Sequence, residues 1–349
     1  MARKLASIQK IKSVESIEGA DFIELVHVLG WQCVAKKGEF KEGDNCIYFE
    51  IDSYLPIEPE FEFLRKNCYK NTPLMGEGFR LKTQTFKKKI SQGLCLPVSI
   101  LESKGYHVFI EGTDVTTILG VRKYEVPEMA TTGGNTKGKL PAFIPHTDET
   151  RIQAEPELLK EFKGNEYYIT TKIDGSSHSI GFDEEGFHVT GHNYEYKDDD
   201  SNSFYRFVKK AELPEKLENF VKDKDISSIV IQGEYAGPGI QKNKLKLNKP
   251  EWYVFNAEIN GKRVDLTHLM NISKELDLVM VPIEETGSDL LAKYADIDAL
   301  LIRAEGNYIS GSPKEGIVIR PVIPIISEIT NTYLSMKVIN NKFLLKNKE

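Results

Sequence analysis

The chain has 349 residues, with 46 Lys+Arg against 52 Asp+Glu and a formal net charge of −6. That length suits two domains, and 40% apolar with 28% charged residues excludes wholesale disorder. No apolar run approaches the ~18 residues of a membrane span, and the acidic total excludes a uniformly basic nucleic-acid coat protein.

An enzyme acting on nucleic acid stays open, because net charge averages over faces that differ. Residues 1–110 hold 16 Lys+Arg and 14 Asp+Glu, which leaves 46 − 16 = 30 and 52 − 14 = 38 for the rest. The acidic excess therefore falls after residue 110. Residues 79–101 contain Arg80, Lys82, Lys87, Lys88 and Lys89 and no acid.

Residues 1–118 read as a β-rich module. Strands are expected at 22–29, 31–35, 46–51 and 93–98, with turns at Lys36-Lys37-Gly38-Glu39 and Lys41-Glu42-Gly43-Asp44. Short strands at this spacing suggest a small barrel of the OB type, with an unrelated β-sandwich as the alternative. Cys33, Cys46, Cys68 and Cys95 have no C-x-x-C spacing. They read as free buried thiols of an intracellular, cytoplasmic protein. No signal peptide is expected behind Met1-Ala2-Arg3-Lys4.

Residues 119–146 read as a connector, from Pro127, Pro141, Pro145 and the run Gly133-Gly134-Asn135-Thr136-Lys137-Gly138-Lys139. Residues 147–349 mix element types. Strands are expected at 167–172, 177–182, 186–190, 226–232, 252–259, 316–320 and 332–338. A helix is expected over 213–223, with Pro214 just inside its start, and a helical region over 287–301. The fold class is α+β with antiparallel sheets, since regular βαβ alternation is missing.

Lys172-Ile173-Asp174-Gly175 follows the strand 167–172. Alone it also fits a surface lysine beside a β-turn. Further along the chain stand Gly233-Glu234, then Phe255 within a strand, then Glu315-Gly316 opening the strand 316–320, then Lys337 in the last strand. This ordered set resembles motifs I, III, IIIa, IV and V of the covalent nucleotidyltransferase superfamily, which holds ATP-dependent ligases and RNA-capping enzymes. The resemblance implies that Lys172 attacks the α-phosphorus of ATP to form lysyl-AMP. An ordinary lysine is only about 0.04% neutral at pH 7, so the site must help it lose a proton. The resemblance also implies a carboxylate at Glu315 near Mg²⁺ or Mn²⁺, with Asp174 helping to hold the metal or its water. It implies that Lys337 contacts the α-phosphate, Glu234 accepts from a ribose hydroxyl and Phe255 stacks on adenine. Thr190-Gly191-His192-Asn193 occupies the place where ligases usually carry an arginine, so His192 is a candidate donor to phosphate or ribose. Ile339 stands where many relatives have a second lysine, with Lys342 or Lys346 as substitutes.

Only 349 − 337 = 12 residues follow Lys337, too few for the C-terminal OB domain of DNA ligases and capping enzymes. An N-terminal OB-like module before an antiparallel-sheet nucleotidyltransferase domain resembles the fifth family of polynucleotide RNA ligases. The likeness includes 120–125, 143–153 and Gly239-Ile240-Gln241-Lys242-Asn243. It implies a monomer that joins 3′-OH and 5′-phosphate RNA ends, with nicked duplex as substrate. Arg151 would reach a phosphate or tether the connector, and Arg80, Lys82, Lys87, Lys88 and Lys89 would contact backbone phosphates or form a solvated hairpin. An RNA-capping guanylyltransferase and a catalytically silent nucleic-acid-binding protein are the alternatives.

Overall fold

The computed structural model describes residues 3–125 and 135–346. Two units divide them. The first holds 3–125 with Gln153–Pro156; the second holds 135–152 with Glu157–Lys346.

The first unit is built from short strands. They are β1 (Ala6–Lys10), β2 (Ser13–Ser16), β3 (Ile23–Val28), β4 (Trp31–Lys36), β5 (Asn45–Phe49), β6 (Ser53–Leu55), β7 (Tyr69–Thr72), β8 (Gly76–Arg80), β9 (Gln84–Phe86), β10 (Lys89–Ser91), β11 (Leu94–Pro97) and β12 (Arg122–Lys123). They pair as β1-β5-β11, β2-β3-β4, β9-β10 and β12-β6-β8-β7. Every pairing is antiparallel. The inward residues Ile8, Ile47, Phe49, Phe61, Phe79 and Leu101 form one buried cluster. All four cysteines are free and buried, and Cys33 Sγ lies 3.0 Å from Cys95 Sγ.

Of the stretch read as a connector, Pro127, Gly133 and Gly134 lie outside the described residues. Its ends are folded: Arg122–Lys123 pairs with β6, and Thr136–Lys139 forms β13, an edge strand of the second unit.

The second unit has two sheets. One runs β13, β18 (Tyr194–Tyr196), β17 (Gly186–Thr190), β16 (Ser176–Asp183), β19 (Ile229–Ala236), β20 (Glu251–Ile259) and β21 (Lys262–Arg263), with β22 (Val279–Met280) beside β20. The other runs β14 (Thr150–Arg151), β25 (Met336–Ile339), β24 (Gly316–Pro321), β15 (Tyr167–Lys172) and β23 (Ile283–Gly287). Pairing is antiparallel apart from β14 with β25 and β20 with β22. Helices Ser203–Lys210 and Leu213–Lys224 cover the first sheet through Phe204, Leu217 and Phe220 against Ile231 and Trp252.

Three readings shift. The strand expected at 226–232 runs Ile229–Ala236, so Glu234 sits inside a strand and not at its end. The helical region 287–301 is two helices, Leu290–Lys293 and Ile297–Ala304, after a strand ending at Gly287. Asp289 and Asp296 each cap one start by accepting from the backbone N–H three residues on, and two caps divide the stretch. The last strand is only Met336–Ile339.

Candidate active site

Strand β15 is flanked by β24 and β23, and its first four residues are buried. Its last residue, Lys172, is half-buried and stands opposite Gly316. That register brings Lys172 Nζ to 2.9 Å from Glu315 Oε1. Tyr308 ties the two backbones together: its hydroxyl donates to the Lys172 carbonyl at 2.8 Å and accepts from the Glu315 N–H at 3.0 Å. The preceding residues are anchored as well. Glu284 accepts from Thr171 Oγ1 at 2.7 Å, from Lys314 Nζ at 2.6 and 2.7 Å, and from Arg303 Nη1 at 2.7 Å.

Burial by itself would lower the pKa of Lys172. The carboxylates of Glu315, Glu234 and Asp174 outweigh it and hold the lysine above its ordinary value. Burial pushes Glu234 up to about 8, partly opposed by Lys172 and reinforced by Glu315 and Asp174. Asp174 is raised too, by burial first and then by Glu315. Its carboxylate is 3.3 Å from Lys244 Nζ, and that ammonium lies 3.6 Å from the centre of the Phe343 ring. Gly175 is required by close approach: a Cβ there would lie 2.4 Å from the Tyr235 carbonyl oxygen.

One cavity gathers residues from both sheets of this unit. Lys172, Glu234, Phe255, Lys337 and His192 line it, with Thr170, Val318, Glu149 and Arg320 among the others. Glu315 and Asp174 are absent from the lining and meet the site through Lys172. Arg151 is buried, also off the lining, and held beside Lys337 by the parallel pairing of β14 and β25. His192 Nε2 lies 3.5 Å from Asp148 Oδ2. Lys342 is ion-paired with Glu305 at 2.6 Å, and Lys346 ends the helix Asn341–Lys346; neither is on the lining.

The basic residues of the first unit differ among themselves. Arg80 is ion-paired with Asp52 at 3.3 Å and its guanidinium lies 4.1 Å from the centre of the Tyr124 ring, so its charge is engaged within the unit. Lys82 is half-buried. Lys87, Lys88 and Lys89 are exposed at the tip of the β9–β10 hairpin.

Sequence reasoning missed Tyr308, Glu284, Lys244, Glu149 and Arg320. Arg320 left a signal: it is a charged residue in the apolar run Gly316-Ile317-Val318-Ile319, and a buried charge needs a partner.

Among the described residues, no group of three or more His, Cys, Asp or Glu side chains is arranged to hold a metal ion. Mg²⁺-like cations need no such cage. They take one or two protein carboxylates and complete their shell with phosphate oxygens and water, and Asp174 and Glu315 fit that donor set.

A family model described as RNA ligase matches residues 165–339, and an OB-fold domain model matches residues 5–98. The fold is similar to that of Naegleria gruberi RNA ligase with PPi, at 30% identity and a TM-score of 0.87, over 99% of each chain. A mutant of that ligase with ATP and Mn matches at 29% identity and 0.87, again over 99% of each chain. A mutant with AMP and Mn gives the same identity, coverage and TM-score. No curated protein sequence matches the chain.

Proposed function

The chain belongs to the RNA ligase family, and from that premise we propose that it is an ATP-dependent ligase that joins 3′-OH and 5′-phosphate RNA ends, with a nick in a duplex as substrate. One observation carries the reading: Lys172, Glu234, Phe255 and Lys337 share one cavity, and Glu315 sits against the lysine.

In the first step Lys172 Nζ bonds to the α-phosphorus of ATP. The bond from that phosphorus to the bridging oxygen breaks, pyrophosphate leaves, and the lysine gives up its proton. In the second, the RNA 5′-phosphate takes AMP from the lysine. In the third, the 3′-OH attacks the adenylated phosphate and AMP departs. Each step displaces at a phosphorus, so one set of cationic groups serves all three. Lys337 contacts the α-phosphate, Glu234 accepts from a ribose hydroxyl, and Phe255 stacks on the base. Arg151 braces Lys337 from the neighbouring strand, and His192 stands at the cavity wall as a conditional donor.

Asp174 and Glu315 are the residues that would hold Mg²⁺ or Mn²⁺. When bound, the cation supplies positive charge that neutralises these carboxylates and the triphosphate, weakening the field that keeps Lys172 protonated. The OB-fold unit is the proposed RNA-tracking module, with the hairpin lysines as its phosphate contacts.

The test is intact-mass analysis of the full chain, freed of AMP and incubated with ATP and Mg²⁺ or Mn²⁺. One AMP is expected on Lys172 in wild type and none in Lys172→Ala, whose fold should survive because the side chain is not in the core. A wild-type chain that takes no AMP with either metal would sink the proposal.

A further inference from the structure

A charged pair is buried at the end of the cavity away from Lys172. Strand register sets Lys172 opposite Gly316, Thr170 opposite Val318 and Tyr168 opposite Arg320. Val318 and Arg320 therefore share a face, and Arg320 stands four residues beyond the level of Lys172, roughly 13 Å along the strand. Arg320 is 4% exposed and every residue of its strand is buried. A guanidinium in such a place is costly unless paired.

Its donors turn into the protein. Nη2 donates to Glu149 Oε1, and Nη1 donates to the Phe255 carbonyl at 3.4 Å. The guanidinium lies 5.5 Å from the centre of the Phe255 ring, and Nε is buried without a partner among the described residues. Glu149 differs. Its Oε1 is taken by Arg320, while its Oε2 accepts no hydrogen bond among the described residues. The side chain is 13% exposed, and it lines the cavity. The far end of the site thus presents a fixed acceptor beside the Phe255 ring and offers no arginine donor to match it. A shielded carboxylate oxygen without a donor is stabilised by any ligand that brings an N–H.

We propose that Glu149, oriented by Arg320, selects the purine: its Oε2 accepts from the 6-amino group of adenine and repels the O6 of guanine. Adenine offers a donor at that position and guanine an acceptor. This inference rests on the reading of the cavity as an ATP site. Glu149 is a specificity residue, and Arg320 a positioning residue that acts through it.

The experiment follows Lys172 adduct formation by intact mass at limiting nucleotide. It compares ATP, GTP and purine riboside 5′-triphosphate, which carries hydrogen in place of the 6-amino group. Wild type should prefer ATP over the purine analogue by at least about tenfold, the scale of a hydrogen bond to a charged group. Glu149→Gln can turn its amide to donate to O6, so the ATP-to-GTP ratio should fall by at least about tenfold. Equal use of ATP and the purine analogue by wild type overturns the inference alone, as does a folded Glu149→Gln that keeps the wild-type ratio. If Glu149→Gln does not fold, the wild-type comparison decides by itself. A wild type that takes up none of the three nucleotides overturns the ligase reading, and this inference with it.

Discussion

Lys172 and Glu315 face each other across 2.9 Å, and Tyr308 fixes the backbones that carry them. The contact opposes the chemistry proposed for the lysine, because a nucleophilic amine must be neutral and a carboxylate keeps it charged. Glu315→Gln should lower the pKa of Lys172 in the nucleotide-free protein, which NMR titration of ¹³C-labelled lysine would follow. On the proposed ligase reading it should also slow adenylylation by at least about 10–100-fold, the loss that removing even an outer partner of a metal site causes. A lysine whose titration does not move would mean that Glu315 is not the dominant field.

Glu234 sets a second pH dependence. Its folded pKa of about 8 lies above the ordinary glutamate value of 4.5. The folded chain therefore keeps a proton that the unfolded chain has released. This contribution to stability is full below about 4.5 and is lost as pH rises through about 8. Denaturant unfolding of the nucleotide-free protein at several pH values should show the decline in wild type. Glu234→Gln should flatten it, and an equal slope in both proteins would exclude Glu234 as its source.

His178 acts in the opposite sense. It packs 4.4 Å from the Phe204 ring, its Nδ1 lies 2.9 Å from the Ser176 carbonyl oxygen, and burial lowers its pKa to about 4. Between about 6.5 and 4 the unfolded chain binds a proton that the folded chain refuses, so stability is lost as pH falls through that window. His178→Phe keeps an aromatic ring in the cluster and should move the acid-unfolding midpoint to lower pH. A midpoint that stays in place would assign the acid limb to other groups.

The basic hairpin carries a conformational cost that suggests use. Lys87 and Lys88 have φ of 46° and 68°, in a two-residue loop between the paired Phe86 and Lys89. Such a loop favours Asn-Gly, and each lysine held there costs about 1 kcal/mol. Lys87→Asn with Lys88→Gly should raise the melting temperature. If these lysines meet RNA phosphates, the log–log salt dependence of binding should become shallower by roughly 0.9 per lysine. A stabilised variant with an unaltered salt slope would leave the hairpin without a phosphate role.

Much of the site was legible because its residues lie in strands with clear local patterns. Lys172, Glu234, Phe255 and Lys337 could be picked out by their resemblance to an ordered set of family motifs, and they meet in one cavity. The helix over Leu213–Lys224 was readable from its apolar face and Pro214. The helix Leu266–Glu275 was missed, although Asp265 caps it by accepting from the His268 N–H. Its buried Leu266, Leu269 and Ile272 recur at helical spacing, so the signal was present in the sequence.

By itself, the sequence determined the order of the elements, and its motif resemblance singled out Lys172 as the candidate nucleophile with the carboxylates that follow it. Element order is a property of short segments, set by alternation, turns and caps. Only the tertiary structure decided that Glu149 meets Arg320 across 171 residues, or that Arg151 lies beside Lys337. It also decided that the charge of Arg80 is engaged by Asp52 and Tyr124. Pairing between distant strands fixes such contacts, and the residues within either segment do not encode which strand will lie beside it. The net charge of −6 is fixed by the sequence, but as a sum it hides a basic hairpin in one unit and the carboxylates around Lys172 in the other.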